Sequence, residues 1–244
     1  MMPLGYRQSP ILMYHRLTPR TGSHPCSMSV ARFRWQLAYL RVLGYRSLPP
    51  RMVAEHMRRG TPVPPRRVVI TFDDGYLDTL ALALPLLRKY GFSATCYVVA
   101  GAVGQVSGWT APAPLMDWPD LRAWLEGGME VGSHSLTHPD LTTLGDASLH
   151  EEVVASRARL EDGLGMPVRS FAYPFNCVDR RALEAVAAAG YDDAVAGAEI
   201  LRSPYTLVRG DAARGPWWRF GLRLFPAYPA MRGLYRTLVP CRVG

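Results

Sequence analysis

The sequence predicts a single-domain α/β protein whose mostly parallel sheet, built from six to eight strand–helix units, closes into a barrel. Three observations carry this. Short apolar runs alternate with stretches of helical spacing along the 244 residues, an order that puts helices outside a parallel sheet. The run Val68-Val69-Ile70-Thr71-Phe72 is continuous and largely β-branched, as in a strand buried on both faces. No internal repeat or low-complexity linker divides the chain, and its length suits one barrel.

The elements follow in order. Ile11 to Tyr14 is a short buried strand after a proline. Phe33, Leu37, Leu40 and Leu43 recur at helical spacing within a helix over 29–43, stopped by Gly44. A short helix over 49–59 precedes a proline-rich loop over 61–67. After the strand over 68–72 come a helix over 77–90 ended by Gly91, a strand over 94–99, and a helix to about Leu125 that Asp117 can cap with Pro119 in its first turn. Strands over 129–132, 170–173, 191–196 and 207–208 then alternate with a long helix over 147–164 and one that Asp179 can cap and that ends before Gly190.

With 48% hydrophobic and 20% charged residues, the composition is that of a folded globular domain. No apolar run approaches the roughly 18 residues that cross a bilayer. Residues 1–10 hold no long apolar stretch after a basic residue, so either a cytoplasmic location or a leader outside the given sequence is expected. Cys26, Cys96, Cys177 and Cys241 form no CxxC pair and are expected to be free thiols in a reducing compartment. The net charge is +8, almost all of the positive residues being arginine. That charge suits nucleic acid, anionic lipid or a phosphorylated substrate, but no nucleic-acid-binding signature accompanies it, and that class is set aside.

The chemistry concentrates at three strand ends. Thr71-Phe72-Asp73-Asp74-Gly75-Tyr76 places two carboxylates where a buried strand turns; alone, this could be a turn and a helix cap. His134-Ser135-Leu136-Thr137-His138 also follows a strand, so both segments fall on the rim where such barrels hold their chemistry. Two imidazoles and one carboxylate make a three-ligand metal site with open positions, and the second carboxylate is what amide hydrolysis needs as a general base. In the third segment, Arg169 to Phe175, Arg169 can pair with the base carboxylate and keep it ionised, while N–H groups near Phe175 can face an oxyanion.

These three segments resemble the motifs of the polysaccharide deacetylases, the NodB-like carbohydrate esterases of family four: an unbroken TFDDGY at 71–76, an H[ST]xxH at 134–138, and a partly matched arginine–Tyr-Pro segment at 169–175. The resemblance implies a distorted (β/α) barrel of about seven parallel strands and a divalent metal, most often zinc, with nickel or cobalt as alternatives. It implies Asp73 as general base, Asp74, His134 and His138 as metal ligands, Arg169 as the residue that orients Asp73, and the Phe175 backbone as part of the oxyanion hole. Tyr76, Tyr173, Pro174, Phe175 and Arg209 are the expected substrate-contacting positions. The implied activity removes an acetyl group from an N-acetylated sugar of a polysaccharide, a lipid-linked precursor or a small glycoside.

The chain departs from that pattern in two places. The late Leu-x-His motif has no histidine in Thr206 to Gly210, and the fourth DxxDW-like motif is absent after Phe175. Tyr14-His15 resembles the start of an exopolysaccharide-acting branch that also lacks the late histidine, and His15 is expected at the rim as acid or substrate ligand. His24, His56 and His150 are read as surface residues. The barrel is expected over 1–210. Over 211–244 the aromatic and basic residues Trp217, Trp218, Phe220, Phe225, Tyr228, Tyr235, Arg214, Arg219, Arg223, Arg232, Arg236 and Arg242 are expected to form an extension packed on the barrel, with peripheral membrane contact as its alternative. Two other functions fit the same residues: a carbohydrate-binding barrel with a degenerate site, and a deformylase on a lipid-linked amino sugar.

Overall fold

A computed structural model describes residues 9–19, 26–109, 112–197, 200–213, 215 and 219–224. His24, Cys241 and most of the aromatic–basic tail (Arg214, Trp217, Trp218, Phe225, Tyr228, Arg232, Tyr235, Arg236 and Arg242) lie outside the described residues.

The strands are β1 (Ile11–Tyr14), β2 (Arg16–Thr18), β3 (Ser27–Ser29), β4 (Arg46–Ser47), β5 (Arg67–Phe72), β6 (Thr95–Val98), β7 (Glu130–Ser133), β8 (Ser170–Ala172), β9 (Asp193–Ala196), β10 (Leu207–Val208) and β11 (Gly210–Asp211). The helices are α1 (Val30–Val42), α2 (Pro50–Arg58), α3 (Leu84–Tyr90), α4 (Trp118–Glu126), α5 (Asp146–Leu164), α6 (Arg180–Ala188) and α7 (Arg219–Arg223). Their caps are those the sequence offers: Ser29, Asp117 and Asp179 each accept a main-chain N–H in the first turn of α1, α4 and α6. The helix expected over 77–90 is not uniform. It begins as a π-helical turn over Thr79–Ala83 and becomes α-helical only from Leu84; Pro85 in that first turn has no N–H to continue the regular ladder.

The main sheet runs β10-β9-β8-β7-β6-β5-β1-β11, with β4 pairing β5 from the side. Every pairing is parallel. The two ends of this order, β10 and β11, are separated in sequence by Arg209 alone. One residue thus crosses the seam of a sheet nearly closed into a barrel. The boundary expected after residue 210 is corrected by this arrangement: it would cut through β11, which pairs β1 through Leu12↔Gly210 and Met13↔Asp211. Further on, Phe220 of α7 is buried edge-on against Trp35 and Tyr39 of α1 at 6.0 and 6.1 Å.

Alternation along the strands sorts the core. Leu12, Tyr14, Ile70 and Phe72 pack with the helices, and Ile11, Val69, Tyr97, Ala172, Val195 and Leu207 form a second cluster with Val53 and Ala54 of α2. Glycine is required at 132, where a Cβ would lie 2.5 Å from the Tyr97 ring. No helix among the described residues is long and apolar enough to cross a membrane.

Candidate active site

Asp73 continues the phase of Val69 and Thr71, so its side chain leaves the end of β5 on the same face, and its N–H donates to Tyr14 O at 2.9 Å. The chain then turns through left-handed backbone at Asp74 (φ 72°) and Gly75 (φ 80°). Asp and Gly are residues that tolerate this conformation, and it brings the second carboxylate round beside the first. Both are buried, 1% and 3% exposed.

His134 follows β7 directly. Its N–H donates to Val98 O at 2.8 Å, and its Nδ1 lies 2.8 Å from Ala172 O. A carbonyl can only accept, so Nδ1 carries the proton and the Nε2 lone pair faces the site. Burial is the main reason its pKa falls to about 4, leaving the imidazole neutral at ordinary pH. His138, in left-handed backbone (φ 68°), reaches the same point from the far end of its loop. Nε2 of His138 and of His134 stand 3.4 and 3.6 Å from Asp74 Oδ1.

That oxygen is buried and accepts no hydrogen bond. A carboxylate oxygen facing a nitrogen lone pair at this distance is repulsive unless a cation lies between them. The ligand atoms of Asp74, His134 and His138 all lie within 4.8 Å of one another. Two imidazole nitrogens facing an orphaned carboxylate oxygen therefore fit a divalent metal ion.

Asp73 is held differently. Arg209 donates from Nη1 to Oδ1 at 2.5 Å and from Nη2 to Oδ2 at 2.6 Å, and its Nε donates to Asn176 Oδ1 at 2.9 Å. Its guanidinium also lies over the Tyr97 ring at 5.7 Å. Burial would raise the Asp73 carboxyl, but the charge and the two hydrogen bonds of the Arg209 guanidinium outweigh it and hold the group below its usual range. His15, just past β1, places Nε2 3.8 Å from Asp73 Oδ2 and is partly exposed.

Five expectations are corrected. Arg169 does not reach Asp73: its side chain is 56% exposed and pairs with Asp192 at 3.1 Å, because it lies just before β8, at the end of the barrel opposite the rim. Arg209, expected to contact substrate, is buried in the ion pair with Asp73 instead. Tyr76 is 1% exposed in an apolar cluster with Val99, Ala102 and Leu115. Tyr173 is fully buried, its hydroxyl donating to Tyr205 O at 3.0 Å, and Pro174 is buried beside it. Of the third segment, the Ala172 carbonyl holds His134 Nδ1 and Phe175 borders the site, its ring 4.8 Å from that of His138 in a left-handed turn (φ 56°). Two site residues escaped notice in the sequence. Asn176 gave a faint signal, as an asparagine able to take the left-handed turn after Pro-Phe (φ 58°). Trp109, stacked on His138 at 4.9 Å, lies in a loop and gave none.

A family model described as polysaccharide deacetylase matches residues 60–194, more than half of the chain. The chain belongs to the polysaccharide deacetylase family. The matched span of this deacetylase-family chain carries Asp73, Asp74, His134 and His138, while His15 and Arg209 lie outside it. YxkH of Bacillus subtilis is 25% identical over 182 residues, 75% of this chain and 62% of that protein. The peptidoglycan-N-acetylglucosamine deacetylase PgdA of Listeria monocytogenes is 25% identical over 122 residues, 50% of this chain and 24% of that protein. The family member described here thus spans less than two thirds of either relative. In fold it is similar to the Streptococcus pyogenes deacetylase PplD, solved in complex with acetate (TM-score 0.75, 24% identity, covering 89% of this chain and 97% of that one). It is equally similar to IcaB from Ammonifex degensii (TM-score 0.75, 24% identity, 88% and 96%).

Proposed function

We propose that this chain is a metal-dependent hydrolase that removes the acetyl group from an N-acetylated sugar. One observation carries the reading: a carboxylate held ionised by a two-pronged arginine, Asp73, stands beside two imidazole nitrogens converging on the orphaned Asp74 oxygen. A binding module has no use for an oriented base next to a metal triad.

Asp74, His134 and His138 would hold the ion. When bound, a divalent cation, zinc being the best match to this donor set, supplies Lewis-acid polarisation of the acyl carbonyl and acidifies a water towards neutrality. Asp73 would accept the proton of an attacking water; Arg209 occupies both of its oxygens and so fixes the direction of the carboxylate. His15 faces the same carboxylate and replaces the missing late histidine as the group that protonates the departing amine. The backbone at Phe175, beside His138, donates to the oxyanion. The name of PgdA indicates a substrate class, an N-acetylhexosamine within a longer glycan, and the same class is proposed here.

The test is release of acetate from N-acetylglucosamine oligosaccharides by zinc-loaded protein, alongside Asp73→Asn, Asp74→Ala and His15→Ala variants. The reading expects acetate from the wild type, a near-complete loss in the first two variants and a large drop in kcat in the third. Formate from N-formyl substrates without acetate would move the activity to deformylation, and full turnover by His15→Ala would remove that residue from the mechanism.

A further inference from the structure

The two imidazoles of the triad are restrained by different means. His134 follows a strand and is locked through both its N–H and its Nδ1. His138 has no such acceptor: its Nδ1 is buried without a hydrogen-bond partner. A metal-ligating histidine ordinarily donates its second ring nitrogen to a fixed partner, so something else must place His138. Its ring stacks on that of Trp109 and meets that of Phe175 edge-on. Its backbone belongs to a loop with left-handed φ at Ser135 (67°) and at His138 (68°). Non-glycine residues keep that conformation only where their surroundings enforce it.

The enforcing groups are identifiable. Glu152, on α5, accepts the N–H of Leu136 and of Thr137 on Oε2, both at 2.9 Å, and the Thr137 hydroxyl on Oε1 at 2.5 Å. The loop carbonyls of Ser135 and Leu136 accept from the N–H groups of Ala100 and Gly101 at 3.0 and 2.8 Å. Ser135 Oγ closes the loop by accepting His138 N–H at 3.0 Å. One buried carboxylate, contributed by a helix, thus satisfies three donors between the two ligand histidines.

We propose that Glu152 is a positioning residue for His138, holding the loop in its left-handed turn so that the metal meets a ready-made site. The inference rests on the reading that Asp74, His134 and His138 hold a divalent cation. Without the carboxylate, residues 135–138 relax, and metal binding must then restore the strained turn at the expense of affinity.

The experiment titrates zinc ion alone against a competing chromophoric chelator, with thermal unfolding of the metal-free protein followed in parallel. Glu152→Ala is expected to weaken zinc binding about tenfold or more, in the range typical of lost outer-shell support, while the metal-free protein still unfolds cooperatively. Glu152→Gln should bind within about threefold of the wild type, because its amide oxygen can accept both N–H groups and its amide nitrogen can donate to Thr137 Oγ1. If Glu152→Ala fails to fold, Glu152→Asp, one methylene too short to reach the loop, carries the same test. Unchanged zinc affinity in the variant, with or without a lower melting temperature, would overturn the positioning role. A wild type that binds no zinc would instead overturn the metal reading itself, and this inference with it.

Discussion

Arg209 and Asp73 face each other fork to fork, 136 residues apart in sequence. Arg209 is the single residue linking the two edge strands of the barrel, and Asp73 emerges on the interior phase of β5. Closing the barrel and orienting Asp73 are therefore one event. Arg209→Lys keeps the charge but offers a point donor instead of a planar fork. It is expected to lower kcat for acetate release at least about tenfold, out of the ~10²–10⁴ that a positioned base contributes. Arg209→Ala leaves a buried carboxylate uncompensated and is expected to cost roughly 3–5 kcal/mol in urea unfolding.

Arg169 gives the contrasting prediction. Its pair with Asp192 is largely exposed on both sides, and such pairs contribute between zero and about 1 kcal/mol. Arg169→Ala is expected to leave kcat unchanged and to shift unfolding by no more than about 0.5 kcal/mol. A loss of activity comparable to that of Arg209→Lys would reinstate Arg169 as the partner of the base.

Metal addition separates the triad from the rest of the fold. A ligand that binds only the native state stabilises it by about 4 kcal/mol at a thousandfold excess over Kd. The wild type should therefore show a zinc-dependent rise in melting temperature that chelator reverses, and Asp74→Ala should show none. An equal rise in both proteins would place the ion elsewhere.

Gly101 tests the loop from its other side. A Cβ there would lie 2.6 Å from the Leu136 carbonyl oxygen, a main-chain atom that cannot step aside without moving the loop. Gly101→Ala is expected to cost about 1–3 kcal/mol as an overpacked contact and to weaken zinc binding as well, both measurable on the metal-free protein by unfolding and by chelator competition.

Asp193 predicts a pH dependence far from the metal triad. It begins β9, is fully buried, accepts Ser170 Oγ at 2.6 Å, and leaves Oδ2 without a partner. Burial, with Glu130 and Asp192 adding to it, pushes its carboxyl up to about 8. Its folded pKa lies above the unfolded value near 4, so the folded state binds the proton more tightly. The stability this provides is full below about pH 4 and drains away as pH rises through about 8. Asp193→Asn, with no charge to acquire, should gain on the wild type steadily between pH 5 and 8 in urea unfolding. Parallel profiles would rule the residue out as the source.

Much of this was legible beforehand because its causes are local. Continuous β-branched runs, capping residues and the glycine after each helix placed nearly every main element to within a residue or two. The Asp-Asp-Gly turn and the spaced histidines, both at strand ends, fell on one rim. The short strands β2, β3, β4 and β11 were not legible, being two or three residues long with no apolar pattern of their own. Nor was the role of Glu152, one acidic residue among several on α5, until the loop it clasps was seen against it.

The sequence alone determined the fold class and the rim on which Asp73, Asp74, His134 and His138 lie. Each follows from strand phase or turn chemistry acting over a few residues. Tertiary structure alone decided which arginine serves Asp73. A strand-end arginine next to the right motif, Arg169, and one at the end of β10, Arg209, look equivalent along the chain. Only the sheet order, which turns Arg209 inward at the barrel seam and leaves Arg169 at the far surface, tells them apart.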